Sequence, residues 1–253
     1  MALSDVRARD AALSCIAPGV LRTIPAALRG TRFAHTAEVL EGLVESLESL
    51  KSGLLAVAET GNLYSVNVLF RVYLEHILKA LAVFSRASHD GSDDFADRYI
   101  QLRVTEAWRY LRAYQAAGFD SSVNSPSILG PWFDEARPLT GGQVREMTEP
   151  FEHRQLIQMI LDLNGLPMQG FLSQVIPNYS ELSGFVHGGP TTFLILGCIT
   201  NQDELHARIE HIANLTVSMF SSARRWLLEL AAAMRPEYRQ PLEELEQAMQ
   251  AMP

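Results

Sequence analysis

Cysteine is nearly absent from this 253-residue chain: Cys15 and Cys198 stand far apart, without metal-ligand spacing. That excludes a disulfide-stapled secreted scaffold and a Cys-x-x-Cys centre, and it predicts two buried thiols in a reducing cytoplasm. Lysine is as scarce, because only Lys51 and Lys79 among the 21 basic residues are not arginine. Positive charge as a whole is in deficit, with a net charge of -8. Generic, backbone-led DNA binding is therefore not expected, although clustered arginines leave room for a local basic groove. Long apolar runs are missing too. No apolar core of signal-peptide length follows Met1 to Asp10, and Phe193 to Ile199 is far too short to cross a bilayer. The expectation is a cytoplasmic protein with no membrane segment.

Several chemical signatures are also lacking. No Gly-x-x-x-x-Gly-Lys loop, dinucleotide fingerprint or Gly-x-Ser-x-Gly elbow occurs. Glu-x-x-His is absent, so the carboxylate-bridged two-metal bundle lacks its motif. His206, Glu210 and His211 then read as a solvated helix face, and neither a metal nor a cofactor is expected.

What is present is helical periodicity. With 47% hydrophobic and 20% charged residues, the composition is that of an ordinary globular protein. Val39, Leu40, Leu43, Leu47, Leu50, Leu54 and Val57 recur at three- and four-residue steps, opposite Glu38, Glu41, Glu45 and Glu48. Gly61-Asn62 ends that helix, and an apolar helix from Leu63 to Phe84 follows as its antiparallel partner. Asp93 or Asp94 can cap the next helix, Phe95 to Ala117, whose interleaved aromatics and arginines read as core with snorkelling cations. Residues 119–141 form an irregular connection. Helical pattern resumes weakly at Gly142–Thr148 and clearly at Phe151–Leu163, where Glu149, Glu152, His153 and Arg154 read as an exposed helix start. A further helix is expected to start near Pro177. Thr200-Asn201-Gln202-Asp203 resembles a capping box before a long helix to about Met234. Leu242–Met249 closes the chain. The prediction is all-α: one antiparallel helical bundle with a core at about 32–235 and extra terminal helices.

Two stretches carry the candidate chemistry. On the Leu63–Phe84 helix, Asn67, Arg71, Glu75 and Lys79 lie four apart and make one polar stripe on an otherwise apolar surface. A buried guanidinium and carboxylate need partners. The stripe is either a structural ion pair or an anion site in which Glu75 orients Arg71. The second stretch runs from Tyr179 to Pro190, where Ser180, Ser183 and His187 share a face and Gly188-Gly189 allows close approach. His187 is either a packed or capping residue or a proton-transfer group.

Arg71-x-x-x-Glu75, followed by Tyr179-x-x-Leu182-Ser183-x-x-x-His187-Gly188, resembles bacterial helical proteins of unknown function related to the HEPN superfamily. The resemblance covers residues 35–235 approximately. It implies a helical bundle, a homodimer, and metal-independent ribonuclease chemistry of the kind found in toxin and anti-phage systems. That superfamily keeps an arginine, a polar residue and a histidine within one helix. Here no arginine occurs between 155 and 207, so Arg71 has to supply it from another helix. His187 would then take the 2′-hydroxyl proton, Arg71 would stabilise charge on phosphate, Glu75 would position Arg71, and Ser183 would donate a hydrogen bond. Asn67, Tyr179 and Ser180 would contact the substrate. The alternative is a non-catalytic helical module in which the Arg71/Glu75/His187 cluster is structural or binds a small anionic ligand.

Overall fold

In the computed structural model of the chain, residues 2–118, 128–164, 166–187 and 201–251 are described, the side chains of 164, 166–169 and 184–187 excepted. Among them there is no strand. Eleven helices follow in order: α1 (Leu3–Ser14), α2 (Ile24–Leu28), α3 (Ala34–Ala58), α4 (Leu63–Asp90), α5 (Asp94–Ala116), α6 (Phe133–Ala136), α7 (Gly141–Thr148), α8 (His153–Asn164), α9 (Leu166–His187), α10 (Gln202–Met234) and α11 (Arg239–Ala251). None is long and apolar enough to cross a membrane.

The bundle is arranged around α4, which packs on α3, α5, α8, α9 and α10. Its sequence is apolar nearly all round, and Val66, Phe70, Tyr73, Leu74, Ile77 and Leu81 are all sealed from solvent. The α3–α4 hairpin turns at Gly61, whose φ of 70° suits a residue without Cβ. Asn62 then caps α4 by accepting a hydrogen bond from the Ser65 N–H at 3.1 Å. Deep in the core the Tyr73 hydroxyl donates to the Thr216 carbonyl at 3.1 Å, tying α4 to α10.

Asp93 does not bond the start of its own helix. Its carboxylate instead accepts from the backbone N–H groups of His35 at 2.9 Å and Thr36 at 2.8 Å, and from the Thr36 hydroxyl at 2.6 Å. Asp93 thus satisfies the orphan donors of α3, because Phe33 at the cap position has no acceptor to offer.

Two buried cations hold α1. The Lys51 ammonium meets Asp10, lies 3.2 Å from Glu48, and sits 4.3 Å from the Phe220 ring centroid. The Arg224 guanidinium donates to the carbonyls of Leu13, at 2.7 Å, and Ile16. Leu13 is in the last turn of α1 and Ile16 lies just past its end, where carbonyls run short of helical partners. Cys15 beside them is exposed, contrary to the expectation of a buried thiol, since α1 turns only Val6 and Leu13 fully inward. Cys198 lies outside the described residues.

A smaller core forms where an irregular connection was expected. Phe133 and Ala136 of α6 pack on Val104, Ala107 and Leu111 of α5. The Trp108 indole N–H donates to the Leu139 carbonyl at 2.9 Å, and Arg103 and Arg112 lie over the Trp132 and Trp108 rings. The α5 aromatics are packing residues, with arginines laid along them.

The helix expected to begin near Pro177 begins at Leu166 and carries that proline in its interior. Proline forfeits one helical hydrogen bond. Leu172, Val175 and Leu182, one to two turns apart and all buried, anchor the helix on both sides of that loss. Phe171 meets Trp226 edge-on, Trp226 stacks on Phe84, and Tyr179 reaches Arg71. Helix α9 therefore runs antiparallel to α4, which brings residue 183 to about the level of Asn67.

Candidate functional site

Three helices each contribute one layer to a stack. From α4, the Arg71 guanidinium carbon lies 3.2 Å from the centre of the Tyr179 ring. From α8, the His153 ring lies parallel to Tyr179 within 12°, with 3.3 Å between centroids. Two planar groups that close to one ring centre cannot share a face. Tyr179, on α9, is therefore the middle layer, with cation and imidazole on opposite sides.

Glu75 closes the cluster. Its Oε1 accepts from Arg71 Nη1 at 2.6 Å, while the Tyr179 hydroxyl points to the same oxygen from 3.5 Å, the outer limit of a hydrogen bond. Arg71 is only 6% exposed, yet the Glu75 side chain keeps 41% of its surface. The guanidinium is thus sealed, and the carboxylate opens on solvent.

Burial, and then the nearby Arg71 charge, lower the His153 pKa to about 4, with Glu75 pulling weakly the other way. The imidazole is neutral at ordinary pH. Burial raises the Tyr179 phenol, with Arg71 opposing. Among the described residues, neither His153 Nε2, Arg71 Nε nor either Asn67 amide atom has a hydrogen-bond partner, although all four are closed to solvent. Unmade bonds of this kind are costly and unusual in a finished core.

Beside the stack is a cavity of about 160 Å3. Glu75, Lys79, His153 and Tyr179 form its polar side, and Leu78, Phe151 and Leu156 its apolar one. Lys79 is half-buried and has no ion-pair partner among the described residues.

Of the residues singled out in sequence, Arg71, Glu75 and Tyr179 come together. Asn67 is fully buried one turn along α4, and Ser183 is half-buried at about its level. Ser180 is exposed, a third of a turn away from Tyr179 around α9. His187 ends α9 two turns beyond Tyr179, about 12 Å along the axis. Its side chain, with Gly188, Gly189 and Pro190, lies outside the described residues. Glu181 pairs with Arg208 of α10, so an arginine does reach this part of α9 from another helix.

His153 was missed. It reads as part of a charged helix start, yet it falls three and seven residues before Leu156 and Ile160, both buried. That spacing puts it on the inward stripe of α8. His206, Glu210 and His211 belong to no metal-holding group, as no cluster of three or more His, Cys, Asp or Glu is so arranged among the described residues.

These elements define a class: an all-α helical bundle with a cation–aromatic–imidazole stack beside a small polar cavity. No family model matches the chain, and no curated protein or solved structure is similar to it.

Proposed function

We propose that this chain is a helical binding protein whose α4–α8–α9 cavity takes a small anionic group, a phosphate or carboxylate at the end of a larger ligand. The observation that carries this reading is Lys79, a half-buried ammonium on the cavity wall without a counter-ion among the described residues. Within this cavity Arg71 and Glu75 offset each other and His153 is neutral, so Lys79 is the charge left over, although on its other side it borders a groove that Glu38 and Glu106 also line. The volume suits a head group, being well below the ~300–1,000 Å3 of sites that enclose a whole drug-sized ligand. The rest of the ligand stays outside. Isothermal titration calorimetry with inorganic phosphate and with adenosine monophosphate tests it. Saturable binding that Lys79→Ala abolishes is expected, and equal binding by wild type and variant sinks the reading.

A second reading is the metal-independent ribonuclease implied by the HEPN-like motif, as a toxin or anti-phage effector. It is favoured by Arg71 of α4 lying directly against α9, the helix that carries Ser183 and ends at His187. His187 remains the proposed base and Arg71 the proposed phosphate ligand, with Glu75 and Ser183 supporting. Arg71 is covered by Tyr179, so cleavage requires that ring to swing aside. Incubating labelled RNA with the protein in chelator decides it: cleavage lost in both Arg71→Lys and His187→Ala supports the reading, and intact RNA removes it. The same motif implies a two-fold dimer, which light scattering at micromolar concentration checks.

A further inference from the structure

A second cavity, of about 480 Å3, opens between α1, the Leu21–Thr23 turn, α3 and α10, and shares no lining residue with the first. Its volume lies within the range of about 300–1,000 Å3 typical of small-molecule sites. The lining has two characters. Leu21, Val44, Phe220 and Leu227 make it apolar, while Glu41, Glu45 and Glu48 follow one another along successive turns of α3 and outnumber the two arginines of the lining, Arg22 and Arg224.

Among the described residues, two of the three cations near this place are already engaged, and the third, Arg22, lines the cavity without an ion pair. Lys51 is held by Asp10, Glu48 and the Phe220 face, and Arg224 by the carbonyls of Leu13 and Ile16. Glu41 and Glu45 have no ion-pair partner among the described residues. Arg22 lies within electrostatic reach of Glu41 but makes no ion pair with it. Asp10, Glu41, Glu45 and Glu48 outnumber Lys51, Arg22 and Arg224. The C-terminal end of α1, the negative pole of that helix, also borders the cavity at Ser14.

We propose that this cavity binds an organic cation, an amine carried on an apolar or aromatic body. The carboxylates of Glu41 and Glu45 attract the ammonium, and the accessible Pro18 and Leu21 surface, floored by Val44, takes the body. A bare metal ion does not fit, because the three glutamates are spread over two turns of a rigid helix and do not converge. Burial and then the neighbouring Glu45 raise the Glu41 pKa, with Arg22 pulling the other way.

The test uses three probes of one shape and different charge: 4-phenylbutylamine, 4-phenylbutanol and 4-phenylbutyrate, each titrated calorimetrically into the full chain. The amine is expected to bind saturably, one per chain, at least about tenfold tighter than the alcohol, and the carboxylate not at all. The double variant Glu41→Gln/Glu45→Gln should bring the amine down to the level of the alcohol. Ser49→Phe, placed at an exposed position on the cavity wall, should block both without touching the core. Equal affinity for the three probes overturns the proposal. So does amine binding that survives both variants, or no saturable amine binding. Lys79→Ala should leave amine binding intact, so the outcome is separate from that at the α4–α8–α9 cavity.

Discussion

His153 lies flat against Tyr179, on the face opposite Arg71, with 3.3 Å between ring centres. A protonated imidazole there would be half-desolvated and close to a guanidinium. The folded chain therefore holds the His153 pKa at about 4, below its ordinary value of 6.5. The unfolded chain takes up the proton first. The stabilisation is complete above about pH 6.5 and is lost as pH falls through about 4. We expect wild type to lose more stability across that window than His153→Phe, in parallel urea titrations. Equal slopes for the two would show that His153 titrates like a free histidine.

Arg71 and Glu75 are unequal partners. The guanidinium is sealed and the carboxylate is 41% exposed, so which residue is removed matters. Glu75→Ala strands a buried cation whose Nε already lacks a partner, and should cost about 3 kcal/mol. Arg71→Leu leaves a carboxylate that water can reach and an apolar side chain in an apolar helix, at a cost of about 1 kcal/mol. Chemical denaturation ranks the two variants. The opposite order would mean that Glu75 is drawn inward when Arg71 is lost.

Asp93 caps α3 from 57 residues away, through two backbone N–H groups and one hydroxyl. Asp93→Ala should cost about 1–2 kcal/mol, and its effect should appear as faster amide exchange at His35 and Thr36. Unchanged exchange there would assign Asp93 no capping role.

Much of the fold was legible because long helices announce themselves by period. The α3 stripe and the apolar α4 are packed as their spacing implied, since each buries one continuous surface. Three local features were not legible, and for a common reason. Pro177 reads as a helix start because its chemistry is local, whereas Leu172 and Val175 hold the helix from outside that window. Asp93 reads as the cap of the helix beside it, and its real partners are distant in sequence. His153 reads as polar surface because Glu152 and Arg154 flank it, while the ring it meets is on α9. In the candidate site, the four-residue spacing on α4 is a property of one helix and can be read from sequence. The stack joins three helices, and no one-dimensional pattern encodes it.

Tyr179 tests the stack as a unit, because its hydroxyl and its ring do different things. The hydroxyl approaches Glu75 only at 3.5 Å, so Tyr179→Phe removes almost nothing and should leave both melting temperature and phosphate affinity close to wild type. The ring, in contrast, fixes two neighbours. Tyr179→Ala takes the aromatic face from Arg71 and the stacking partner from His153, and leaves a gap between α4, α8 and α9. The loss should be about 2 kcal/mol or more. With the ring gone, water reaches the imidazole, and the His153 pKa should climb from about 4 back toward 6.5. Nuclear magnetic resonance of the histidine ring protons follows that shift directly. Phosphate affinity should fall at the same time, because the Tyr179 ring is part of the cavity wall. A Tyr179→Ala protein that keeps a low His153 pKa would place the desolvation elsewhere and take Tyr179 out of the site.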